Sequence, residues 1–438
     1  MESLKKKDNA LIESELLSHV NWSRKSVIWL GTLLLLLAVC IYFYLQQLKH
    51  GLGVTGMRDY ISWGIYISNF VFFVAASLIG MLISSVMGLI GIQWIKPIAR
   101  IAEIVAVAFA MVAGLIIITD MGRPDRLHHL FVFGRIQSPI VWDVTVVITY
   151  VALSLLLLYL PLIPDIILCK DKCGQVPPFQ RKLYKFLSLG WTHTPGQYKL
   201  MNRYMKILMV LIIPVALAIH TVTSWLFAMT LRAGWDSAIF GPYFVSGAFV
   251  AGCAAVIIAM YFYRNNFGLK NYITELHFDK MGKLLVMVAL VYVYFNINEI
   301  IVPAYKLKGG EAEHIKSMLA GHDSLMFYTV QLGGLIIPFL LLILKPMRRP
   351  LPLTIISVVI LTAAWFKRYI IVVPVQQHPY FPIQNVPEDF MHYTPTLAEI
   401  AITAGPFILL LIIITVLSKL FPVVPIWEIK EELEHEDK

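Results

Sequence analysis

The sequence has few charged residues and few cysteines, and each shortage excludes a class of protein. Only 14% of its 438 residues are charged, 58% are apolar or aromatic, and the mean hydropathy is +0.73. Because soluble domains carry about 25% charged residues, a soluble globular enzyme is excluded. The four cysteines are too few for a disulfide framework. The close pair, Cys169 and Cys173, has no further Cys or His at zinc-site spacing, so we expect no metal site.

Sequence motifs for redox cofactors and nucleotides are also missing. There is no Cys-x-x-Cys-His for covalent haem, no four-cysteine cluster for an iron–sulfur centre and no glycine-rich phosphate loop. His220 is the only histidine well inside an apolar run, whereas bis-histidine haem needs two such residues. We therefore expect no haem or iron–sulfur cluster within this chain, so electrons have to come or go through another subunit.

Long apolar runs are what the sequence does contain. Since roughly 20 apolar residues span a bilayer, they predict an all-α integral membrane protein with ten transmembrane helices. The predicted runs are 27–46, 61–92, 98–119, 138–164, 204–229, 239–263, 281–302, 324–344, 351–374 and 396–420. The segment before the first run is too polar for a cleaved signal peptide, so we expect the first helix to stay as a membrane anchor.

The basic residues indicate the orientation of these helices. With the N-terminus inside, 24 of the 36 Lys and Arg residues fall on the inner side, nine on the outer side and three inside helices. Cytoplasmic loops are enriched in Lys and Arg, so both termini are predicted to be cytoplasmic. The net charge of +9 is accordingly interpreted as setting topology in a lipid bilayer, with no nucleic acid as partner.

A weak internal repeat suggests how the helices are grouped. The second predicted helix opens Trp63-Gly-Ile-Tyr-Ile and the sixth opens Phe240-Gly-Pro-Tyr-Phe, 177 residues later. We predict two four-helix bundles, helices 2–5 and 6–9, flanked by helices 1 and 10; a chance match stays open as the alternative. The predicted segments are 1–26 (cytoplasmic), 27–60 (helix 1 and outer loop), 61–229 (first bundle, with the candidate site), 230–374 (second bundle), 375–421 (outer loop and helix 10) and 422–438 (cytoplasmic tail).

The densest polar cluster lies between the third and fourth predicted helices. Its charged and aromatic members are Asp120, Arg123, Asp125, Arg126, His128, His129, Arg135, Trp142 and Asp143. A quinol site needs hydrogen-bond partners for two oxygens and a group that titrates near neutrality, which histidine provides and a carboxylate can assist. The alternative is a network of loop ion pairs with the histidines among lipid headgroups, and the residues leave both interpretations open.

Other candidate residues are an aromatic wall and a few isolated charges. The ring and isoprenoid tail of a quinone are expected to contact Trp63, Tyr66, Phe70, Phe131, Phe133 and Trp142. Glu103 either continues a proton path from Asp143 or reaches the surface near Arg100. Lys367 and Arg368 need a carboxylate partner such as Glu299 or Glu399, and we expect a structural ion pair.

Two motifs around this cluster resemble a known family. Asp120-x-Gly-Arg-Pro-x-Arg126 and Gly134-Arg135-x-x-Ser138-Pro139-x-x-Trp142-Asp143 are similar to the helix 3–4 segment of NrfD/polysulfide-reductase-type membrane subunits. Over residues 27–428 the sequence is similar to the large ten-helix branch of this family. That branch includes the membrane subunits of alternative complex III and of the Qrc menaquinone reductase. The motifs that carry this second resemblance are Gly234-Trp-Asp-Ser237, Trp365-x-Lys-Arg368 and His378-Pro379.

The resemblance implies a quinone-binding subunit without a redox cofactor of its own. It implies menaquinone or ubiquinone near the outer face, an adjacent extracytoplasmic iron–sulfur subunit, often a multihaem cytochrome c, and two four-helix bundles with extra flanking helices. Carried over by motif, Arg123, His128 or His129, and Asp143 would line the quinone pocket and handle its protons.

We therefore predict a quinone-binding subunit of a respiratory oxidoreductase complex in the bacterial inner membrane, with further membrane subunits as candidate partners. His128 or His129 relays the proton and Asp143 orients the imidazole or accepts the proton. The other predicted quinone contacts are Arg123, Arg126, Asp120, Trp142, Tyr66 and Phe70. The candidate proton path runs through Glu103, Glu299 and Glu399. Two alternatives stay open: a secondary transporter with parallel repeats, which would take up solute as an isolated chain, and a structural anchor, which would bind no quinone.

Overall fold

Helices, and no strands, make up the secondary structure of the part of the chain that the structure describes. The structure is a computed structural model and describes residues 9–172, 176–230, 232–378, 385–387 and 390–436. Cys173 and Pro379, which belong to motifs discussed above, lie outside these residues. The helices are α1 Asn9–Leu17, α2 Arg24–His50, α3 Ile65–Ile90, α4 Lys96–Asp120, α5 His129–Val132, α6 Pro139–Tyr159, α7 Ile163–Lys172, α8 Pro178–Leu187, α9 Pro195–Ala228, α10 Phe240–Asn266, α11 Glu275–Lys306, α12 Gly309–Ala320, α13 Ser324–Tyr328, α14 Ile337–Ile343, α15 Pro350–Gln376, α16 Leu397–Leu420 and α17 Ile426–Glu436.

Ten helical segments within the described residues are long and apolar enough to cross a membrane, which confirms the predicted fold class. They contain α2, α3, α4, α6 with α7, α9, α10, α11, α13 with α14, α15, and α16. The helices α13 and α14 are joined by a π-helical stretch, Thr329–Ile336. The chain is a multi-pass membrane protein.

Several helices begin earlier than their apolar runs because polar residues cap them outside the hydrophobic segment. The helix α9 starts at Pro195, nine residues before the predicted run at 204, after a capping box of Thr194 and Gln197. The helix α11 starts at Glu275, where Thr274 and His277 form the same reciprocal arrangement. A window that averages hydropathy detects the membrane segment of such a helix and misses its polar first turns.

The helices pack in two groups around a central pair. In one group α3, α4, α6 and α9 contact one another in a ring; in the other α10, α11, α14 and α15 do so, and α16 lies against α2 and α4. The helices α3 and α10, which the weak repeat equates, are largely buried and pack against each other between the two groups. We call the end that carries the α4–α6 loop the outer end, following the predicted orientation.

A glycine sets the distance between α3 and α4. A Cβ atom at Gly80 would clash with the carbonyl oxygen of Ala102 and would lie 2.9 Å from the Cβ of Ala106. Small residues at such positions allow membrane helices to approach closely. This contact holds two walls of the first group together.

Replacing Gly80 by alanine is expected to lower the free energy of unfolding by about 1–3 kcal/mol, because the added methyl group meets backbone that cannot move away cheaply. The matched control is Gly114→Ala on α4, where an added Cβ meets nothing within 4 Å. That control is expected to leave stability unchanged or slightly raised, since alanine is the better helix former. Unfolding of the purified protein in detergent, followed by circular dichroism, measures both; equal effects would contradict the close packing.

Candidate functional site

The α4–α6 loop brings two carboxylates to the outer end of the first group of helices. The helix α4 ends at Asp120, and Pro124 starts a short 3-10 turn that redirects the chain. The helix α6 begins with Pro139, a residue suited to the first turn because it needs no backbone partner for its nitrogen. Asp143 follows in the second turn of α6, at the same end of the molecule as Asp120.

Asp143 faces the interior of the helix group, one of the two orientations that its sequence position allows. Its side chain is 1% exposed, and its Oδ1 accepts a hydrogen bond from the Thr223 hydroxyl on α9 at 2.5 Å. In the described part of the chain no Lys, Arg or His forms an ion pair with it. A buried carboxylate without a cation is costly, which makes Asp143 a candidate site residue.

A cavity of about 290 Å³ lies beside Asp143. It is enclosed by α3, α4, α6, α9 and the α4–α6 loop, and its size is close to that of small-molecule sites. Its ionisable lining residues are Asp120, Asp143 and Arg126. Its other lining residues are Trp63, Ile67, Phe70, Ile117, Met121, Leu127, Leu130, Ile140, Val144, Leu226 and Phe227. An apolar chamber with a few convergent polar groups suits a flat, largely apolar ligand with polar edges.

Asp120 is the second acidic group of the cavity. Its Oδ1 is buried and has no hydrogen-bond partner among the described residues. A carboxyl group in this situation can accept a hydrogen bond from a ligand hydroxyl or exchange a proton with it. Among the described residues, no group of three or more His, Cys, Asp or Glu side chains is placed to hold a metal ion. The chemistry that this site offers is hydrogen bonding and proton exchange.

An aromatic cluster forms the wall of the cavity toward the second group of helices. The rings of Trp63 and Phe227 lie edge to face at 5.5 Å, and Trp235 lies 5.6 Å from Trp63. Gln376 of α15 fixes Trp63 by accepting a hydrogen bond from its backbone nitrogen at 3.0 Å and donating one to its carbonyl at 2.6 Å. One wall of the cavity is therefore held rigidly by the other half of the protein.

The structure does not bring three of the predicted site residues to the cavity lining. Arg123 forms an ion pair with Asp125 at 2.9 Å on the exposed loop, and this hydrogen-bonded pairing lowers the pKa of the Asp125 carboxyl. His128 is exposed, with Nδ1 3.0 Å from the carbonyl oxygen of Asp125. His129 is also exposed and packs edge to face against His128 at 4.4 Å between ring centroids. Their roles in proton transfer stay predictions.

Trp142 and Tyr66, two of the predicted quinone contacts, form hydrogen bonds with other residues of the protein. The Trp142 indole nitrogen donates a hydrogen bond to the carbonyl oxygen of Ile136, within its own loop. Tyr66 is buried, and its hydroxyl donates to the Gln47 Oε1 on α2 at 2.7 Å. Phe70, by contrast, lines the cavity.

Two carboxylates of the predicted proton path, Glu103 and Glu399, are not among the residues that line the cavity. Glu103 is buried on α4 and accepts a hydrogen bond from Ser84 on α3. It lies 17 residues from Asp120, about 25 Å along the helix. Glu399 lies at the start of α16, where it accepts hydrogen bonds from the Gly56 nitrogen at 2.7 Å and the Tyr393 hydroxyl at 2.7 Å. These contacts make Glu399 a brace between the α2–α3 loop and α16.

The remaining predicted charges lie in the second group of helices. Glu299 and Lys367 line one small cavity of about 40 Å³, and Arg368 is buried next to Lys367 on α15. Neither basic residue forms an ion pair with Glu299 or Glu399 within the described ranges. Glu299 and Lys367 interact electrostatically without a direct contact, so the structural ion pair stays a prediction.

Sequence reasoning missed the residues that complete the cavity from α9. Thr223 supplies the hydrogen bond to Asp143, and Phe227 supplies part of the aromatic wall. A threonine and a phenylalanine inside an apolar run carry no distinctive signal. Only the four-residue spacing between them, which places both on one face of a helix, indicates that they act together.

Comparison with known proteins agrees with the motifs. A family model described as "Polysulphide reductase, NrfD" matches residues 53–379. The chain is 31% identical over 328 residues to the membrane subunit of a putative dimethyl sulfoxide reductase of Halobacterium salinarum, covering 73% of this chain and 70% of that one. It is 24% identical to a subunit of the selenate reductase of Mesobacillus selenatarsenatis, over 86% of this chain and 89% of that one. It is 29% identical to the integral membrane subunit of menaquinone reductase of Nitratidesulfovibrio vulgaris, over 32% of this chain and 33% of that one.

Proposed function

The chain belongs to the NrfD polysulphide reductase family, and we propose that it is the quinone-binding membrane subunit of a respiratory oxidoreductase complex. The observation that carries the proposal is the apolar cavity at the outer end, with the carboxylates of Asp120 and Asp143 inside it. Similarity to the menaquinone reductase membrane subunit supports menaquinone as the ligand, with ubiquinone as the alternative. The proposed location is the bacterial inner membrane.

The proposed chemistry assigns one task to each polar group of the cavity. The quinone ring lies against Trp63, Phe70 and Phe227, with one oxygen toward Asp143. Asp143, held by Thr223, exchanges a proton with that oxygen as the quinone is reduced or the quinol oxidised. At the second oxygen Asp120 exchanges the other proton, and Arg126 stabilises the negative charge of the reduced quinone before that proton is added.

The proton needs a route between the cavity and water, and we propose that the α4–α6 loop provides it. Leu127 and Leu130 line the cavity, and between them His128 and His129 are exposed. An exposed histidine on this loop is suited to pass the proton to the aqueous side. Release at the outer face would contribute to a proton gradient without a path through Glu103 and Glu299.

Electron transfer to or from the quinone requires a partner subunit, and we propose the exposed α4–α6 loop as its docking surface. Phe131, Phe133 and Ile136 are 64%, 71% and 82% exposed, and the same loop carries the basic residues Arg123 and Arg135. Exposed apolar side chains with basic neighbours are typical of a protein interface. We propose an extracytoplasmic iron–sulfur protein there, with a multihaem cytochrome c beyond it and further membrane subunits alongside.

Filling the cavity tests the proposal. Val144→Trp places an indole in the lining of the cavity and is expected to lower quinone-linked turnover at least tenfold and to remove co-purified quinone. The control is Ile148→Trp, one helical turn further along α6 on a side chain that is 52% exposed. Turnover of the assembled complex and quinone content after mild extraction measure both variants. Normal quinone content and rate in Val144→Trp would refute the site.

A further inference from the structure

A water-sized cavity lies inside the second group of helices, next to two adjacent basic residues. Its volume is about 20 Å³, and its polar lining residues are Tyr292, Gln331, Lys367 and Arg368. A single water molecule needs about 10–15 Å³, so this cavity has room for one or two such particles. Gln331 belongs to the π-helical stretch Thr329–Ile336, and π-bulges occur frequently at functional sites.

Arg368 has no counter-charge among the described residues. Its side chain is 2% exposed, and its Nε and Nη2 atoms are buried without a hydrogen-bond partner. No carboxylate of the described chain forms an ion pair with it. The guanidinium lies 5.8 Å from the centre of the Phe244 ring, which attracts a cation but supplies no negative charge. Since arginine stays protonated in proteins, a full positive charge remains in the membrane interior.

The other ionisable groups nearby do not cancel this charge. Lys367 and Glu299 face each other across the neighbouring cavity, and they contribute zero net charge whether both are ionised or both are neutral. His220, whose Nε2 is buried without a partner in the described residues, contributes zero or one positive charge. Asp236, the other carboxylate that acts on Glu299, is exposed to solvent. With Lys367 and Glu299 balancing each other, Arg368 has no ion-pair partner of its own among the described residues.

We propose that this cavity binds a small monovalent inorganic anion of the size of chloride, held between Arg368 and Lys367. Gln331 is positioned to assist: its amide nitrogen donates one hydrogen bond to the Asn296 Oδ1 at 3.3 Å, which leaves its second amide hydrogen for the anion. Tyr292 also lines the cavity. At low dielectric an anion in contact with a buried cation is held strongly, and the cavity is too small for a polyatomic anion.

Exchanging the anion in the purified full-length chain tests the inference. Chloride or bromide, compared with gluconate at equal ionic strength, is expected to raise the Tm saturably by about 5 °C. A crystal grown in bromide is expected to show one anomalous scatterer between Arg368 and Lys367. Arg368→Gln is expected to lose both the thermal response and the bromide. The control is Arg348→Gln, which removes an arginine already paired with Asp279 at 2.8 Å and is expected to keep the response.

Two results would overturn the inference. One is a wild-type protein whose Tm is the same in bromide and gluconate and whose cavity contains only water. The other is an Arg368→Gln variant that still responds to halide as the wild type does. If Arg368→Gln does not fold, the bromide experiment on the wild-type chain decides the question alone.

Discussion

Replacing Asp143 by asparagine is expected to lower quinone-linked turnover of the assembled complex by about 100-fold or more. Asparagine has nearly the same shape and can still accept the hydrogen bond from Thr223, so the helix packing is preserved. It cannot take up or release a proton, which is the step that we assign to this residue. Steady-state rates with a soluble quinol analogue, together with quinone content, separate a loss of chemistry from a loss of binding.

The same substitution at Asp125 is the matched control. Asp125 lies on the α4–α6 loop, is exposed and forms an ion pair with Arg123. Asp125→Asn is therefore expected to keep most of the activity. His129→Gln is a separate test of the exposed relay, and we expect a smaller effect because solvent can replace an exposed proton carrier. An Asp143→Asn enzyme that turns over at the wild-type rate would remove Asp143 from the mechanism and leave Asp120 as the remaining acid of the cavity.

The fold could be predicted because each crossing is specified locally. A run of about 20 apolar residues has few alternatives to a membrane helix, so the number and order of the crossings follow from the sequence. The starts of α9 and α11 could not be found in this way, because their first turns are polar and are stabilised by capping boxes. The short helices α8 and α12 lie outside the apolar runs and were not predicted.

The site could be predicted only in part, for a related reason. Asp143 and Asp120 stand out because a carboxylate in or beside an apolar run has to face the protein interior. The positions of Tyr66 and His129 depend instead on the tertiary structure. Gln47 of α2 accepts a hydrogen bond from the Tyr66 hydroxyl, and the conformation of the α4–α6 loop leaves His129 exposed. Neither contact is encoded near the residue itself, so composition and spacing do not show which side chains reach the cavity.

Replacing Arg100 by methionine is expected to lower the free energy of unfolding by about 3–5 kcal/mol, the largest stability effect that we predict. Arg100 is 2% exposed, and its guanidinium donates to the Asp165 carboxylate at 2.5 Å and to the Pro161 carbonyl oxygen at 2.9 Å. Asp165 in turn accepts hydrogen bonds from the backbone nitrogens of Ile426 and Trp427, which start α17. Without the arginine, a buried carboxylate remains unpaired and the anchorage of α17 is weakened with it.

A comparison of four variants, Arg100→Met, Asp165→Leu, the double variant and the control Lys283→Met, distinguishes this explanation from simple loss of packing. Arg100→Met/Asp165→Leu removes both charges, so it is expected to regain part of the stability that Arg100→Met loses. The backbone nitrogens of Ile426 and Trp427 at the start of α17 still lack the Asp165 carboxylate in this variant. Lys283→Met breaks an exposed pair with Asp279 and is expected to cost less than about 1 kcal/mol. Unfolding in SDS, followed by tryptophan fluorescence, measures all four. If the double variant is as unstable as the sum of the two single variants, the two side chains do not act as a pair, and the attachment of α17 to the membrane helices rests on apolar contacts alone.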